Sequence, residues 1–359
     1  MALKTYSIVV ATRNRADVLA TSLELFLGQS VLPAEVVVVD ASDDHERVCA
    51  LVRSVFAEAA SPVPLTVLRA DEGNLAAQRN QGLAGVTTPI VMYPDDDSYW
   101  YPDTAAALLD VYSADRAGAI GGVTAVEVGV SPVPGAAGPK RRFRLSHVPR
   151  LRWWRHRLEA ALAPPPFHVY GAARTRDLAE GFADAGHFRL VETMGGYRMS
   201  FRTDVLRRLG GFDPALGRHV GYAQHEDKDM CLRVLENGLL LAAARGARVF
   251  HNVHPAPRTK GGFEYGFCQI LNYAYIVCKV TRPGDSAERA LGRYCHYKTW
   301  SYGLRWHKSG YLREIALGAQ AAMGELPALR AAPRQKLTEA YLAAMDRHLG
   351  FLLEAKASR

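Results

Sequence analysis

Three consecutive aspartates, Asp95, Asp96 and Asp97, follow the apolar run PIVMY and precede the aromatic SYWY. Carboxylates this close repel one another unless a cation or hydrogen-bond donors neutralise them, and oxygen ligands suit a hard divalent ion such as Mg2+ or Mn2+. A solvated acidic turn is the alternative reading. A second acidic group opens the stretch HEDKDMCLRVLENG, where Met230, Cys231, Val234 and Leu235 make one apolar stripe at helical spacing. Asp227 lies on that face, whereas Glu226, Asp229, Arg233 and Glu236 fall largely outside it. In the first turn of a helix such a carboxylate is stabilised by free amides and the dipole, and serves either as a cap or as a general base aimed into a pocket. Further on, the strand-like ARVF delivers His251, with His254 following in HNVH. A packed or surface histidine is one reading; completion of a metal site with the aspartate triplet is the other.

These groups need a scaffold, and the first hundred residues supply its pattern. Short β-branched runs alternate with segments of helical period, which predicts a parallel sheet covered by helices. Strands are expected at SIVVAT from Ser7, VVVV from Val36, PLTVLR from Pro64 and PIVMY from Pro89, with helices over 17–29, 44–59 and 74–86. Asp or Asn near the first two helix starts are candidate caps. In such a sheet ligands bind beyond the carboxyl ends of the strands, which singles out Thr12, Arg13, Asn14 and Asp40 beside the triplet. Asp40 taken alone reads equally as a turn former or helix cap. Further expectations are a turn at Gly210-Gly211, a helix from Glu226 stopped by Gly238, a strand near 247–250 and a largely helical chain beyond Pro257.

The turn ATRNRAD after the first strand contains no glycine, and no GxxxxGK[ST] occurs, so neither usual phosphate-binding loop is present. A divalent metal on Asp97 would neutralise a diphosphate instead. A chain of 359 residues, 48% hydrophobic and 22% charged, can bury a full α/β core with an appendage. The most apolar long stretch, 261–280, is interrupted by Glu264, Gln269, Asn272 and Lys279, so no membrane span is expected. Five cysteines without CxxC or zinc spacing, and an opening with no leader pattern, read as a cytoplasmic protein.

Taken in order, SIVVATRNR, VVVVDASDD, NLAAQRNQGL, YPDDDSYWYPD, GGYRMSFRTDVLRRLGGFD, HEDKDMCLRVLENG and VFHNVH resemble the family-two glycosyltransferases of the GT-A fold over about residues 5–280. The resemblance implies an α/β fold, a Rossmann-like and mostly parallel sheet with helices on both faces, and inverting transfer from a nucleoside-diphosphate sugar with a divalent cation on the diphosphate. It implies nucleoside or donor contacts at Thr12, Arg13, Asn14, Asp40, Arg79, Asp95 and Asp96, and a metal on Asp97 and Asp95. Asp227 matches the family's catalytic base with Glu226 beside it as a positioning or acceptor-binding group, and Gly195 and Gly196 match small residues of the donor-sugar pocket. Two histidines compete for one family position, with His251 favoured as third metal ligand over His254. The expected domains are a catalytic GT-A domain over 1–256, with a basic, aromatic insertion at about 131–167, and a mainly helical C-terminal region over 257–359.

Two rivals are a sugar-phosphate nucleotidyltransferase and a noncatalytic nucleotide-sugar-binding protein. The first would open on a glycine-rich loop, and the second would have lost the base or metal carboxylates. The formal net charge of +8 resides in KRRFRLSHVPRLRWWRHR, residues 140–157, which holds eight Lys or Arg and no acid. Four uses compete for it: a solvated insertion, a patch for anionic lipid or a lipid-linked acceptor, a nucleic-acid surface, and a cover over the donor diphosphate. Basic residues beside Trp153 and Trp154 suit a membrane interface, so the expected partners are a nucleotide sugar, an unidentified lipid-linked or glycan acceptor and an anionic membrane at the inner face, with no nucleic acid.

Overall fold

The four strands expected in the first hundred residues form at their places and pair in parallel. Strand β1 (Tyr6–Thr12) lies between β2 (Glu35–Asp40) and β4 (Ile90–Pro94), and β3 (Leu65–Arg69) flanks β2. Val36 to Val39 are buried throughout, as a strand covered by helices on both faces requires. The connecting helices are α1 (Ala16–Leu27), α2 (His45–Glu58) and α3 (Leu75–Gly85). The expected caps are corrected in part. Asp44 caps α2 by accepting from the Arg47 amide, but α1 follows Arg15 with no side-chain cap, Asp17 lying inside its first turn. Asn74 caps α3, accepting from the amides of Ala76 and Ala77. Helix α3 presses close to the sheet at Gly82, where a Cβ would stand 2.4 Å from Val9 Cγ1.

The computed structural model describes residues 5–134, 187–220, 224–252, 261–281 and 286–357. The insertion expected at 131–167, apart from its first four residues, lies outside them, as does His254. The second half of the sheet comprises β5 (Ser98–Trp100), β6 (Ile120–Glu127), β7 (Phe188–Val191), β8 (Arg198–Arg202) and β9 (Leu240–His251), interleaved with α4 (Thr104–Ala114), α5 (Thr203–Arg208) and α6 (Glu226–Glu236). The order is β3-β2-β1-β4-β8-β6-β9-β5, with β7 also on β9. Strands β5, β7 and β8 run against the other six. The strand expected near 247–250 is thus 12 residues long. Its first half, LLAAARG, has weak strand propensity and is held extended by pairing with β6 and β7. Phe26 and Trp100 meet edge to face at 4.9 Å in the main core.

Two compact units divide the chain. The sheet unit takes in the described residues up to 134, 187–214 and 226–252; the other takes in the described residues of 215–225 and the helices from 261 onward. That helical unit comprises α7 (Gly262–Val280), α8 (Ser286–Gly303), α9 (Gly310–Ala331) and α10 (Leu337–Ala357). Helices α7 and α9 touch backbone to backbone, since a Cβ on Gly266 would meet the Ile315 carbonyl oxygen at 2.0 Å. Fully buried Asn272 accepts from the Tyr341 hydroxyl at 2.8 Å and donates to the Gln224 carbonyl at 3.2 Å. Among the described residues no helix is long and apolar enough to cross a membrane.

Candidate active site

At the carboxyl ends of β1 and β2 the two loops clamp each other. Asn14 adopts φ 55°, a left-handed conformation that asparagine tolerates where glycine is more usual. Its amide donates to Ser42 Oγ at 2.7 Å and its side chain exchanges hydrogen bonds with Asp43. From α3, Gln78 Nε2 donates to the Thr12 and Val39 carbonyls at 3.1 and 2.9 Å, tying the two strand ends together. Asp40 is fully buried and both its oxygens are engaged, one by the Ser42 amide at 2.9 Å and the other by His45 Nδ1 at 2.7 Å. That geometry is an Asx turn joined to an imidazole, so Asp40 shapes the loop whatever else it contacts. Arg13 and Asn14 are exposed beside it.

The triplet divides its work between inside and outside. Asp96 is buried and faces inward: Thr12 Oγ1 donates to it at 2.8 Å and Arg15 pairs with it at 2.7 Å. Burial pushes the Asp96 carboxyl up to about 7, against the opposing pull of Arg15. The same Arg15 reaches Asp97 Oδ2 at 2.5 Å. Arg15 escaped the sequence reading, although its place three residues after Thr12 at the head of α1 was visible. Asp97 Oδ1 is buried and makes no hydrogen bond among the described residues, with His251 Nε2 3.3 Å away. Burial alone would raise Asp97, but His251 and Arg15 outweigh it and hold the carboxyl below its ordinary value. Register places His251 here, because β9 pairs antiparallel with β5 and sets His251 opposite Ser98. Tyr197, another residue the sequence did not flag, stacks on the imidazole at 4.2 Å and 12°. Asp95, Asp97 and His251 each present one ligand atom, all within 4.8 Å of one another. Two carboxylates and an imidazole, one carboxylate oxygen having no hydrogen bond, fit a divalent cation such as Mn2+ or Mg2+.

The acidic pair on α6 sits differently from its periodicity. Glu226 and Asp229 are buried, whereas Asp227 is only half-buried. The expected apolar stripe forms, with Met230, Cys231 and Val234 buried, but the placement of the acids is corrected: Glu226 and Asp229, expected outside it, are buried, and an arginine partner accounts for each. Arg233 pairs with Asp229 at 2.7 Å and caps the end of α5 by donating to the Leu209 and Gly211 carbonyls. Glu226 accepts from Arg79 at 2.9 Å, and burial with the neighbouring Asp227 charge pushes its carboxyl up to about 7 against that arginine. Arg79 is itself only 2% exposed and also binds Asp95 at 3.0 Å and the Gly196 carbonyl at 3.2 Å. One guanidinium thus joins the triplet to the α6 pair. Asp227 is oriented by two amides, Gly196 N at 3.1 Å and Lys228 N at 2.8 Å. A Cβ on Gly196 would lie 3.3 Å from Arg79 and 3.4 Å from Glu226, so a side chain there would press on both groups. Gly195 is partly exposed on the same loop.

Residues 7–166 match the model of glycosyl transferase family 2. A glucosyl-dolichyl phosphate glucuronosyltransferase from Haloferax volcanii is 26% identical over 253 residues, 69% of each chain. A mannosyltransferase from Pyrobaculum calidifontis, solved with GDP-Man and Mn2+, has a TM-score of 0.51 at 18% identity, over 96% of this chain and 86% of its own. S. aureus TarS 1-349, solved with UDP-GlcNAc, gives 0.52 at 15% identity over 96% and 92%. The two structures share the fold, while the family match and the relative add the sequence signal to it. With the motifs in family order along a mixed α/β sheet, residues 7–166 carry the signature of glycosyl transferase family 2, and the chain shares the fold of the glycosyltransferases solved with nucleotide sugars.

Proposed function

We propose that the enzyme transfers a sugar from a nucleoside-diphosphate donor to an acceptor hydroxyl with inversion at the anomeric carbon. The observation that carries this reading is the Asp95, Asp97 and His251 cluster joined through Arg79 to Glu226 and Asp227. Asp95, Asp97 and His251 would hold a divalent cation, Mn2+ or Mg2+, whose charge offsets that of the leaving diphosphate. Thr12, Arg13, Asn14 and Asp40 stand at the strand ends where the nucleoside would lie, and Gly195 and Gly196 would line the donor-sugar pocket. Asp227, fixed by its two amides, takes the proton of the acceptor hydroxyl as that oxygen bonds to the anomeric carbon and the bond to the diphosphate breaks. One displacement inverts the centre, so no nucleophilic side chain is assigned. Arg79 keeps Glu226 and Asp95 in place. The Haloferax relative makes a sugar on a lipid phosphate the first acceptor class to try.

A panel of nucleotide sugars with Mn2+ or Mg2+ tests this without an acceptor, scored by slow donor hydrolysis and by calorimetric binding. At least one donor should bind only with metal, and Asp97→Ala should abolish that binding while leaving the fold intact. Unchanged donor affinity in Asp97→Ala with metal present would remove the metal assignment. Residues 140–157 are proposed to bind anionic lipid; replacing Arg150, Arg152, Arg155 and Arg157 with Gln should then weaken salt-sensitive flotation with anionic vesicles. Equal flotation of wild type and variant would remove the lipid assignment from this segment.

A further inference from the structure

Helix α8 ends at Gly303, a 3-10 turn spans Trp306–Lys308, and α9 begins at Gly310, where Ser309 Oγ accepts from the Leu312 amide at 3.2 Å. At this corner every residue from Gly303 to Tyr311 is exposed. Trp300 is 60% exposed, Leu304 54%, Trp306 53% and Tyr311 47%, and the Arg313 guanidinium lies 5.7 Å from the Trp306 ring. Single exposed apolar residues need no explanation, but two tryptophans, a leucine and a tyrosine within 12 residues of sequence do. The charge is equally one-sided. Residues 289–313 contain six Lys or Arg and no Asp or Glu, whereas ordinary surfaces intersperse the two signs.

We propose that the α8–α9 corner is a membrane-contact surface that seats in the interface of an anionic bilayer. The indoles of Trp300 and Trp306 would lie at headgroup level with Leu304 between them, and Arg305, Lys308 and Arg313 would face lipid phosphates. Indole rings with an apolar body and a polar N–H favour that depth, and nearby cations are attracted to the anionic leaflet. Single-stranded nucleic acid would use the same cations, but it binds along a charged groove with stacked aromatics, and the leucine has no part in that mode. The surface shares no residue with 140–157, so each can be tested without the other, and it is independent of the sugar-transfer chemistry.

The full chain is floated with vesicles of phosphatidylcholine, with and without phosphatidylglycerol, and compared with Arg305→Gln/Lys308→Gln/Arg313→Gln, with Trp300→Ser/Trp306→Ser and with the four-glutamine variant of 140–157. The expected result is flotation of the wild type with the anionic vesicles alone. Loss of three cations should weaken partitioning roughly a hundredfold, at about fivefold for each. The tryptophan variant should bind only at low salt, and both corner variants should keep donor hydrolysis and their circular dichroism. Wild-type flotation by both corner variants would overturn the proposal, as would a wild type that floats with neither vesicle. Loss of concentration-dependent self-association in the corner variants, with flotation unchanged, would reassign the surface to a second copy of this chain. Loss of RNA binding with flotation unchanged would reassign it to nucleic acid.

Discussion

Asp227 and Arg79 do opposite things with charge. The Asp227 carboxylate is held by amides yet stays half-exposed, as the proposed role of proton acceptor requires. Asp227→Asn keeps the shape and removes the proposed base, so turnover should fall by roughly 10²-fold or more with donor affinity nearly retained. Near-normal turnover would leave Asp227 a structural residue. Arg79 is buried between two carboxylates, and removing it strands both. Arg79→Met should destabilise the protein by about 3–5 kcal/mol in denaturant unfolding. Arg79→Lys should recover only part of that, because one ammonium cannot reproduce a fork that reaches Asp95, Glu226 and the Gly196 carbonyl. The residue types at the site were legible in sequence: the triplet, the α6 pair and His251 were all conspicuous. Their wiring was not. Arg15 and Tyr197 gain their roles only from sheet register and loop packing, which no local pattern in the chain records.

At the scale of elements, the parallel half of the sheet could be read almost residue by residue because buried strands are β-branched and their helices periodic. The other half was legible only in its helix from Glu226, its strand near 247–250 and its glycine turn. Strand β6 (IGGVTAVE) carries two glycines and β8 (RMSFR) is short and half polar, so neither announces itself without its partners. The Gly210-Gly211 turn was foreseen, and the structure shows what fixes it. Both glycines take positive φ, and Asn80 on α3 exchanges hydrogen bonds with the Phe212 amide and carbonyl, each at 2.8 Å. A Cβ at Gly211 would stand 2.4 Å from Asn80 Oδ1. Gly211→Ala therefore combines a left-handed backbone with a broken clamp. It should cost at least about 2 kcal/mol of stability by chemical denaturation, whereas Gly210→Ala, with open space around it, should cost only the backbone term of about 1 kcal/mol.

For the molecule as a whole, charge is distributed by segment: subtracting the eight cations of 140–157 leaves 36 Lys or Arg against 36 Asp or Glu. Opposite charges elsewhere form local networks, as in the helical unit, where Glu325 on α9 binds Arg347 and His348 on α10. The Arg347 hydrogen bond holds the Glu325 carboxyl below its ordinary value. A depressed folded value adds stability that is present above the unfolded carboxylate range and lost as pH falls from there through the lower folded value. Arg347 is more than half exposed, so Glu325→Gln should cost less than about 1 kcal/mol at neutral pH, with the difference closing below pH ~4 in pH-dependent thermal unfolding. Gly82, where α3 presses on Val9, has a wider reach than its chemistry suggests. It works as a fulcrum: Gln78 and Arg79 lie one turn away on the same rigid rod, so a single added methyl would tilt both out of alignment. A side chain at this silent position is thereby coupled to Val9, and the fold can seat one there only where Val9 gives up the same volume.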